Sequence, residues 1–232
     1  MTEKREDGNR TPAACTRCDA VIYDLDGTLL NTLDDLTDSV NHILKTRGYE
    51  PRGSADVRAA LGNGARVLLR SMIPEEMEEE KFEQMLKEYS AWYDGHCRIK
   101  TRPYPGIEEL TSALHRMGVR QAIVSNKGDT AVRELASLYF EDVLEAAVGE
   151  RPGIRRKPEP DSVLEAMRQM RAAPERTLYV GDSEVDFKTA RAAHLPVALV
   201  TWGYRDREKL KMLGADFLAD SAEQLLGWIC RQ

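Results

Sequence analysis

The chain has 232 residues, 31% of them charged and 42% hydrophobic, with a formal net charge of −6. That length supports one large core, or a core with a smaller insert. The acidic balance speaks against a nucleic-acid partner, and no apolar run approaches the roughly 20 residues that span a bilayer. An anionic substrate stays possible, because local charge decides what a cleft attracts.

Residues 1–18 are polar and aperiodic and read as a mobile tail. The tail lacks the apolar stretch of a secretory signal. Cys15 and Cys18 form a C-x-x-C, but no second close pair follows to complete a zinc ribbon. Four cysteines are no disulfide framework for a chain of this size, so the expectation is reduced, incidental thiols in a cytoplasmic protein.

The first regular element is a buried strand at 20–25. A helix follows from Leu33 to Gly48, with Leu36, Val40, Ile43 and Leu44 on one face. A short helix is expected at Val57–Leu61, stopped by "GNG" at 62–64, and another at Ala65–Ile73 with Val67, Leu68 and Met72 inward. Pro74 breaks that one. A long helix is expected from Glu75 to Trp92, its stripe made of Phe82, Met85, Leu86, Tyr89, Trp92 and Tyr93. The acidic run "EEMEEE" suits a helix start, where the dipole favours anions. Residues 33–100 are therefore an all-helical block.

After Pro103 and Pro105 the rhythm changes. A helix marked by Ile107, Leu110 and Leu114 leads to a strand at Gln121–Ser125, a helix at Thr130–Leu138 and a short strand at Val143–Val148. Pro160 opens a helix to Met170, and a strand at Thr177–Gly181 precedes a helix at Asp186–His194. Strands at Val197–Thr201 and Ala215–Leu218 alternate with helices at Arg207–Leu213 and Ala222–Ile229. Alternation of this kind predicts an α/β fold, a doubly wound parallel sheet covered on both faces. The strand at 20–25 belongs to the same sheet, so the core is 19–32 plus 101–232 and the helical block is a cap inserted between.

Ligands of open parallel sheets bind beyond the carboxyl ends of the strands. Asp24, Asp26 and Thr28 follow the first strand, Ser125, Asn126 and Lys127 the second, and Asp182 and Asp186 the one at 177–181. Lys157 stands in "RRKPEP" before a helix. Four acids, two hydroxyls and two amines thus fall where one cleft can collect them.

These four stretches, "DLDGT", "VSN", the lysine before "PEP", and "GDSEVD", resemble in order and spacing the four motifs of the haloacid dehalogenase-like (HAD) hydrolases. The resemblance runs from residue 20 to about 230 and implies a Rossmann-like core. It implies Asp24 as a nucleophile that forms an aspartyl-phosphate, and Asp26 as the acid that protonates the leaving oxygen and then the base that activates water. Mg²⁺ is the implied cofactor, held by Asp24, the backbone carbonyl of Asp26, and Asp182, with Asp186 as a ligand or as an orienting group. Ser125 and the backbone N–H of Asn126 would bind the phosphoryl oxygens, Thr28 would touch them or only cap its turn, and Lys157 would neutralise charge on Asp24 and phosphate. Asp186 has a second reading as a helix-start acid, and Arg155 and Arg156 read as solvated loop charges. A second Asp in the first motif favours phosphomonoester hydrolysis or phosphoryl transfer between sugar hydroxyls.

A helical insert between the first two motifs resembles the cap of the phosphoglycolate phosphatase and β-phosphoglucomutase branch. "LGNGARVLL", "SNK", "RKPEP" and "TWGY" resemble the phosphoglycolate phosphatases in particular. The resemblance implies a small phosphorylated metabolite as partner, with 2-phosphoglycolate the leading substrate, no nucleic acid and no membrane, and a monomer or homodimer. Asn63 and Arg66 are candidate contacts to the substrate's non-reacting end, an Arg suiting a carboxylate. Their plainer readings are a turn residue and an exposed helix charge. Other substrates (a sugar phosphate, pyrophosphate, or a phosphosugar isomerised by a mutase) and a non-catalytic phosphate-binding regulator remain alternatives.

Overall fold

A computed structural model describes residues 17–73 and 77–230. Most of the tail, Cys15 included, and Pro74 with the start expected for the long helix therefore lie outside the described residues. Cys18, read as part of the tail, is buried in the core, and Arg17 lies over the Trp228 ring at 4.8 Å.

The sheet is built from β1 (Ala20–Tyr23), β4 (Arg120–Gly128), β5 (Ala146–Glu150), β6 (Thr177–Gly181), β7 (Val197–Val200) and β8 (Phe217–Ala219). All pairs are parallel, in the order β5-β4-β1-β6-β7-β8. Both faces are covered, which is why these strands read as unbroken apolar runs. Successive side chains of β1 enter different layers: Val21 and Tyr23 join one apolar cluster, Ala20 and Ile22 the other. The first cluster takes in α5 (Ile107–Arg116), α6 (Asp129–Phe140) and α10 (Ala222–Ile229); the second takes in α7 (Asp161–Met170) and α8 (Glu184–Ala192). From central β1 the chain winds outward through β4 to β5, then returns to β6 and winds the other way. The strand order reverses at β1 and β6, so the crevice lies above their carboxyl ends.

The cap is helical as expected: α1 (Leu33–Thr46), α2 (Ser54–Ala60), α3 (Gly64–Met72) and α4 (Glu79–His96). Val67, expected inward, is exposed, and Leu69 takes its place in the core with Leu68 and Met72. The stripe of α4 buries Phe82, Met85, Tyr89 and Tyr93, while Trp92 stacks between His42 and His96. Among the described residues no helix is long and apolar enough to cross a membrane.

Two short strands that periodicity cannot reveal, β2 (Leu30–Asn31) and β3 (Arg102–Pro103), pair antiparallel where the chain leaves the core and returns. Asp35 on α1 binds the returning strand: it accepts bonds from the Lys100 and Thr101 backbone N–H groups, the latter at 2.9 Å, and from the Thr101 hydroxyl at 2.8 Å. β5 begins three residues later than the expected Val143, because Val143 and Leu144 close the end of α6 with bonds to the Phe140 carbonyl. The register of β4 against β5 shifts between Val124 and Gly128. That irregularity carries Ser125, Asn126 and Lys127, and bulges commonly re-aim side chains beside a site.

Candidate active site

The loop after β1 is fixed before any side chain is considered. The Asp24 N–H donates to the Val180 carbonyl, and the N–H groups of Leu29 and Leu30 return to the Leu25 carbonyl. Gly27 has φ of +85°, and a Cβ there would lie 2.4 Å from an Asp182 carboxylate oxygen. Gly203, in the loop after β7, is as crowded: a Cβ would lie 2.3 Å from Asp182 and 2.4 Å from the Gly27 carbonyl. Glycine at both positions lets three loops converge on one carboxylate.

Asp24, Asp182 and Asp186 are buried, with one carboxylate oxygen of each within 4.8 Å of the others. Lys157 reaches into this group. Its ammonium donates to Asp24 Oδ1 at 2.7 Å and to Asp186 Oδ1 at 2.8 Å. Tyr179, on β6, holds the same pair, its hydroxyl 2.9 Å from Asp186 Oδ1 and 3.2 Å from Lys157 Nζ. Asp186 Oδ2 accepts from the Ser183 hydroxyl and N–H, in the capping box that opens α8. Asp186 therefore starts a helix and holds the Lys157 ammonium with the same carboxylate, while it also belongs to the acidic cluster that could hold a metal. Asp24 Oδ2 and Asp182 Oδ1 keep no hydrogen-bond partner among the described residues, while Asp182 Oδ2 accepts the Tyr204 N–H at 2.6 Å.

Burial sets the protonation balance. It pushes the Asp24 carboxyl up to about 7, helped by the Asp186 charge and opposed by Lys157. It likewise raises Asp182 well above the carboxylate range, with Asp186 and Asp24 adding to the effect. Burial also works against Asp186, yet Lys157 and the hydrogen bonds around it hold that carboxyl below its ordinary value.

Asp26 sits on the cap side of the cleft. Its Oδ1 accepts the Thr32 hydroxyl at 2.5 Å and pairs with Lys127 Nζ at 2.9 Å. The Tyr204 hydroxyl closes this network on Thr32, 2.9 Å from its N–H. Asn126 uses its amide as a clamp, accepting from the Lys157 N–H and donating to the Lys157 and Gly62 carbonyls. Arg58 of α2 donates to the Gly203 and Tyr204 carbonyls, and Arg205 donates to the Leu61 carbonyl. The cap is thereby joined to the core over a cavity of about 80 Å³.

Asp24, Asp26, Ser125, Asn126, Lys127, Lys157 and Asp182 all border that cavity. Asp186 is tied to Lys157 beneath it, and Thr28 does not border it, its buried hydroxyl having no partner. Asn63 is absent from the lining, and its carbonyl faces Arg156 at 3.5 Å. Arg66 is also absent, because it pairs with Glu79 and Glu83 on α4. Sequence reading missed Tyr179, Thr32, Tyr204, Arg205, Tyr93 and Tyr89. Only Tyr204 carried a signal, as the last residue of "TWGY".

The donor set suits a divalent cation. With all four ionised, the carboxylates of Asp24, Asp26, Asp182 and Asp186 exceed the two ammonium groups, Lys127 and Lys157, by two charges, an excess that a cation offsets and that protons on Asp24 and Asp182 otherwise relieve. Two buried carboxylates with free oxygens are what a hard cation requires.

A doubly wound parallel sheet with paired acids above its switch point, a buried lysine and a helical cap defines a class, capped α/β proteins with an acidic site at the switch point. The model of the haloacid dehalogenase-like hydrolases matches residues 21–200, and the chain belongs to that family. A phosphoglycolate phosphatase of Cereibacter sphaeroides is 36% identical over 189 residues, 80% of this chain and 86% of its own. An N-acetylmuramic acid 6-phosphate phosphatase of Pseudomonas aeruginosa is 29% identical over 90% of this chain and 94% of its own. A solved structure from Lactobacillus delbrueckii subsp. bulgaricus superposes with a TM-score of 0.86 at 33% identity, covering 94% of this chain and all of that one. Family and relatives together define an enzyme, a phosphoric monoester hydrolase, in place of a non-catalytic regulator.

Proposed function

We propose that the protein is a Mg²⁺-dependent phosphatase of a small phosphomonoester, with 2-phosphoglycolate as its substrate, acting through an aspartyl-phosphate. The observation that carries the reading is the state of Asp24: one oxygen is held by Lys157 and the other is free at the cavity. A carboxylate so held presents a single lone-pair face to an incoming phosphorus, which restricts it to near-attack geometry.

Asp24 and Asp182 would hold the cation with the Asp26 carbonyl. Oxygen-only donors beside a phosphate favour Mg²⁺. When bound, the cation offsets the repulsion between the Asp24 carboxylate and the phosphate dianion. Asp24 attacks phosphorus, the P–O bond to the leaving group breaks, and Asp26 delivers a proton to the departing oxygen. Asp26, now a carboxylate, takes a proton from water as that water attacks the aspartyl-phosphate. Phosphate leaves and Asp24 is restored. Lys157 holds Asp24 throughout. The Ser125 hydroxyl and the Asn126 N–H serve the phosphoryl oxygens, donors fixed in advance of the charge they meet. The small cavity and the similarity to phosphoglycolate phosphatases support the choice of substrate.

The test is phosphate release from 2-phosphoglycolate, pyrophosphate, hexose phosphates and nucleotides, with and without Mg²⁺. A dominant Mg²⁺-dependent rate on 2-phosphoglycolate is expected. The variant Asp24→Asn should lose turnover while keeping its circular dichroism and melting transition; turnover retained in that variant would rule the mechanism out.

A further inference from the structure

Lys127 is nine-tenths buried and borders the cavity, yet the proposed chemistry gives it no task. Its ammonium has three donors. One meets Asp26 Oδ1 at 2.9 Å and one meets the Tyr93 hydroxyl, and no third partner exists among the described residues. The ammonium also lies 4.2 Å from the centre of the Tyr93 ring. One turn earlier on α4 stands Tyr89, whose ring stacks on Tyr93 with centroids 5.9 Å apart. Tyr89 is 3% exposed and borders the cavity, and its hydroxyl has no hydrogen-bond partner among the described residues. Burial raises the Tyr89 hydroxyl far above its ordinary range, with the Asp26 charge adding to it, so it remains a donor. An unpartnered hydroxyl and a spare ammonium donor thus border the same part-apolar cavity, where the acceptor atoms of a ligand can meet them.

We infer that Lys127, Tyr89 and Tyr93 form a subsite for a carboxylate on the leaving group of the substrate. This deepens the proposed phosphatase reading and rests on it. The donor count fits: a carboxylate accepts from several N–H and O–H groups at once, whereas a hydroxyl offers less charge to an ammonium. The location fits as well. Lys127 touches Asp26, the group assigned to protonate the leaving oxygen, so the subsite abuts that oxygen. The ligand group must then lie only one or two atoms beyond the ester linkage, as the carboxylate of a 2-phospho acid does. The cap's own lining acid, Asp94, makes no bond to Lys127 and is partly exposed, so it does not fill the place.

The experiment compares kcat/KM for 2-phosphoglycolate and for ethyl phosphate, which keeps the ester and lacks the carboxylate, in the full-length enzyme and in Lys127→Gln and Tyr89→Phe. Damage to the shared chemistry lowers both substrates together and leaves their ratio alone. The ratio favours 2-phosphoglycolate in the unaltered enzyme, and it should fall at least about tenfold in Lys127→Gln and severalfold in Tyr89→Phe, in line with the loss of a charged and a neutral hydrogen bond. If Lys127→Gln does not fold, the Tyr89→Phe ratio decides. An unaltered enzyme without the preference, or variants that keep it, overturns the subsite and leaves the phosphatase reading standing. Hydrolysis of neither compound overturns both.

Discussion

Lys157 shows how one buried charge ties the acids of the site together. Its ammonium is fully desolvated and is tolerated only because Asp24 and Asp186 flank it, with Tyr179 completing the shell. Burial disfavours its charge, but Asp186 and Asp24 more than compensate and keep it protonated well above the usual range. Removing it strands two buried carboxylates, a loss of roughly 3–5 kcal/mol when one partner of a buried pair is deleted. Lys157→Met is therefore expected to unfold at markedly lower urea and to lose turnover. A divalent cation should recover part of the stability and none of the rate, as denaturant melts with and without Mg²⁺ will read. Tyr179→Phe is the milder counterpart. It removes one hydroxyl from the Lys157–Asp186 pair and should lower kcat with little change in KM, because the ammonium loses orientation while the cavity wall stays intact. An unchanged kcat would show that Asp186 alone fixes the lysine.

At the scale of elements, the parts readable in the sequence were those whose cause is local. The run "TLYVG" is buried on both faces and becomes β6 over the expected residues, Thr177–Gly181. The helix expected at Asp186–His194 was readable in kind but not in its bounds: it begins at Glu184, because Ser183 caps it and Asp186 completes a capping box as the third helical residue. The strap that joins cap to core was not readable, because two-residue strands have no period and β2 and β3 lie about seventy residues apart in the chain. Neither was the use of Lys127, whose partners Asp26 and Tyr93 come from a distant core loop and from the cap. Nor were the partners of Arg66: its residue type suits a carboxylate, and the carboxylates it meets in the structure are Glu79 and Glu83, more than a dozen residues away on α4. Asp35 is the residue on which the strap depends. It satisfies the Lys100 and Thr101 N–H groups and the Thr101 hydroxyl together. Asp35→Ala leaves these donors unpaired, at about 1–3 kcal/mol for each one that water cannot reach. The expected result is a melting transition lowered by several degrees and limited proteolysis that begins near Lys100. An equally stable, equally resistant variant would show that β2 and β3 hold the cap unaided.

Over the whole molecule, the sheet gathers more carboxylates at its switch point than its lysines neutralise, and this excess links stability to pH and to metal. Asp24 has an ordinary value of 3.8 and is raised to about 7 by burial and by Asp186, and Asp182 is raised in the same direction. The folded protein thus holds protons that the unfolded chain releases, so in the absence of metal its stability falls as pH rises from about 4 through about 7. Asp186, being depressed, has the opposite effect, but only below its ordinary value of 3.8. Lys157, being raised, stabilises the fold below its ordinary value of 10.5 and loses that contribution only at higher pH still. Neither alters the slope between 4 and 7. A divalent cation binds the deprotonated carboxylates and competes with those protons, so its stabilisation should be small at pH 5 and large at pH 8. Thermal melts of chelator-treated protein across this range, with and without Mg²⁺, should show two curves that separate progressively above pH 5. In Asp182→Asn the separation should shrink, because the variant removes one free carboxylate oxygen and one of the two raised groups. Parallel curves for the unaltered protein would mean that the buried acids stay ionised without metal, held by Lys157 and the Tyr204 N–H alone.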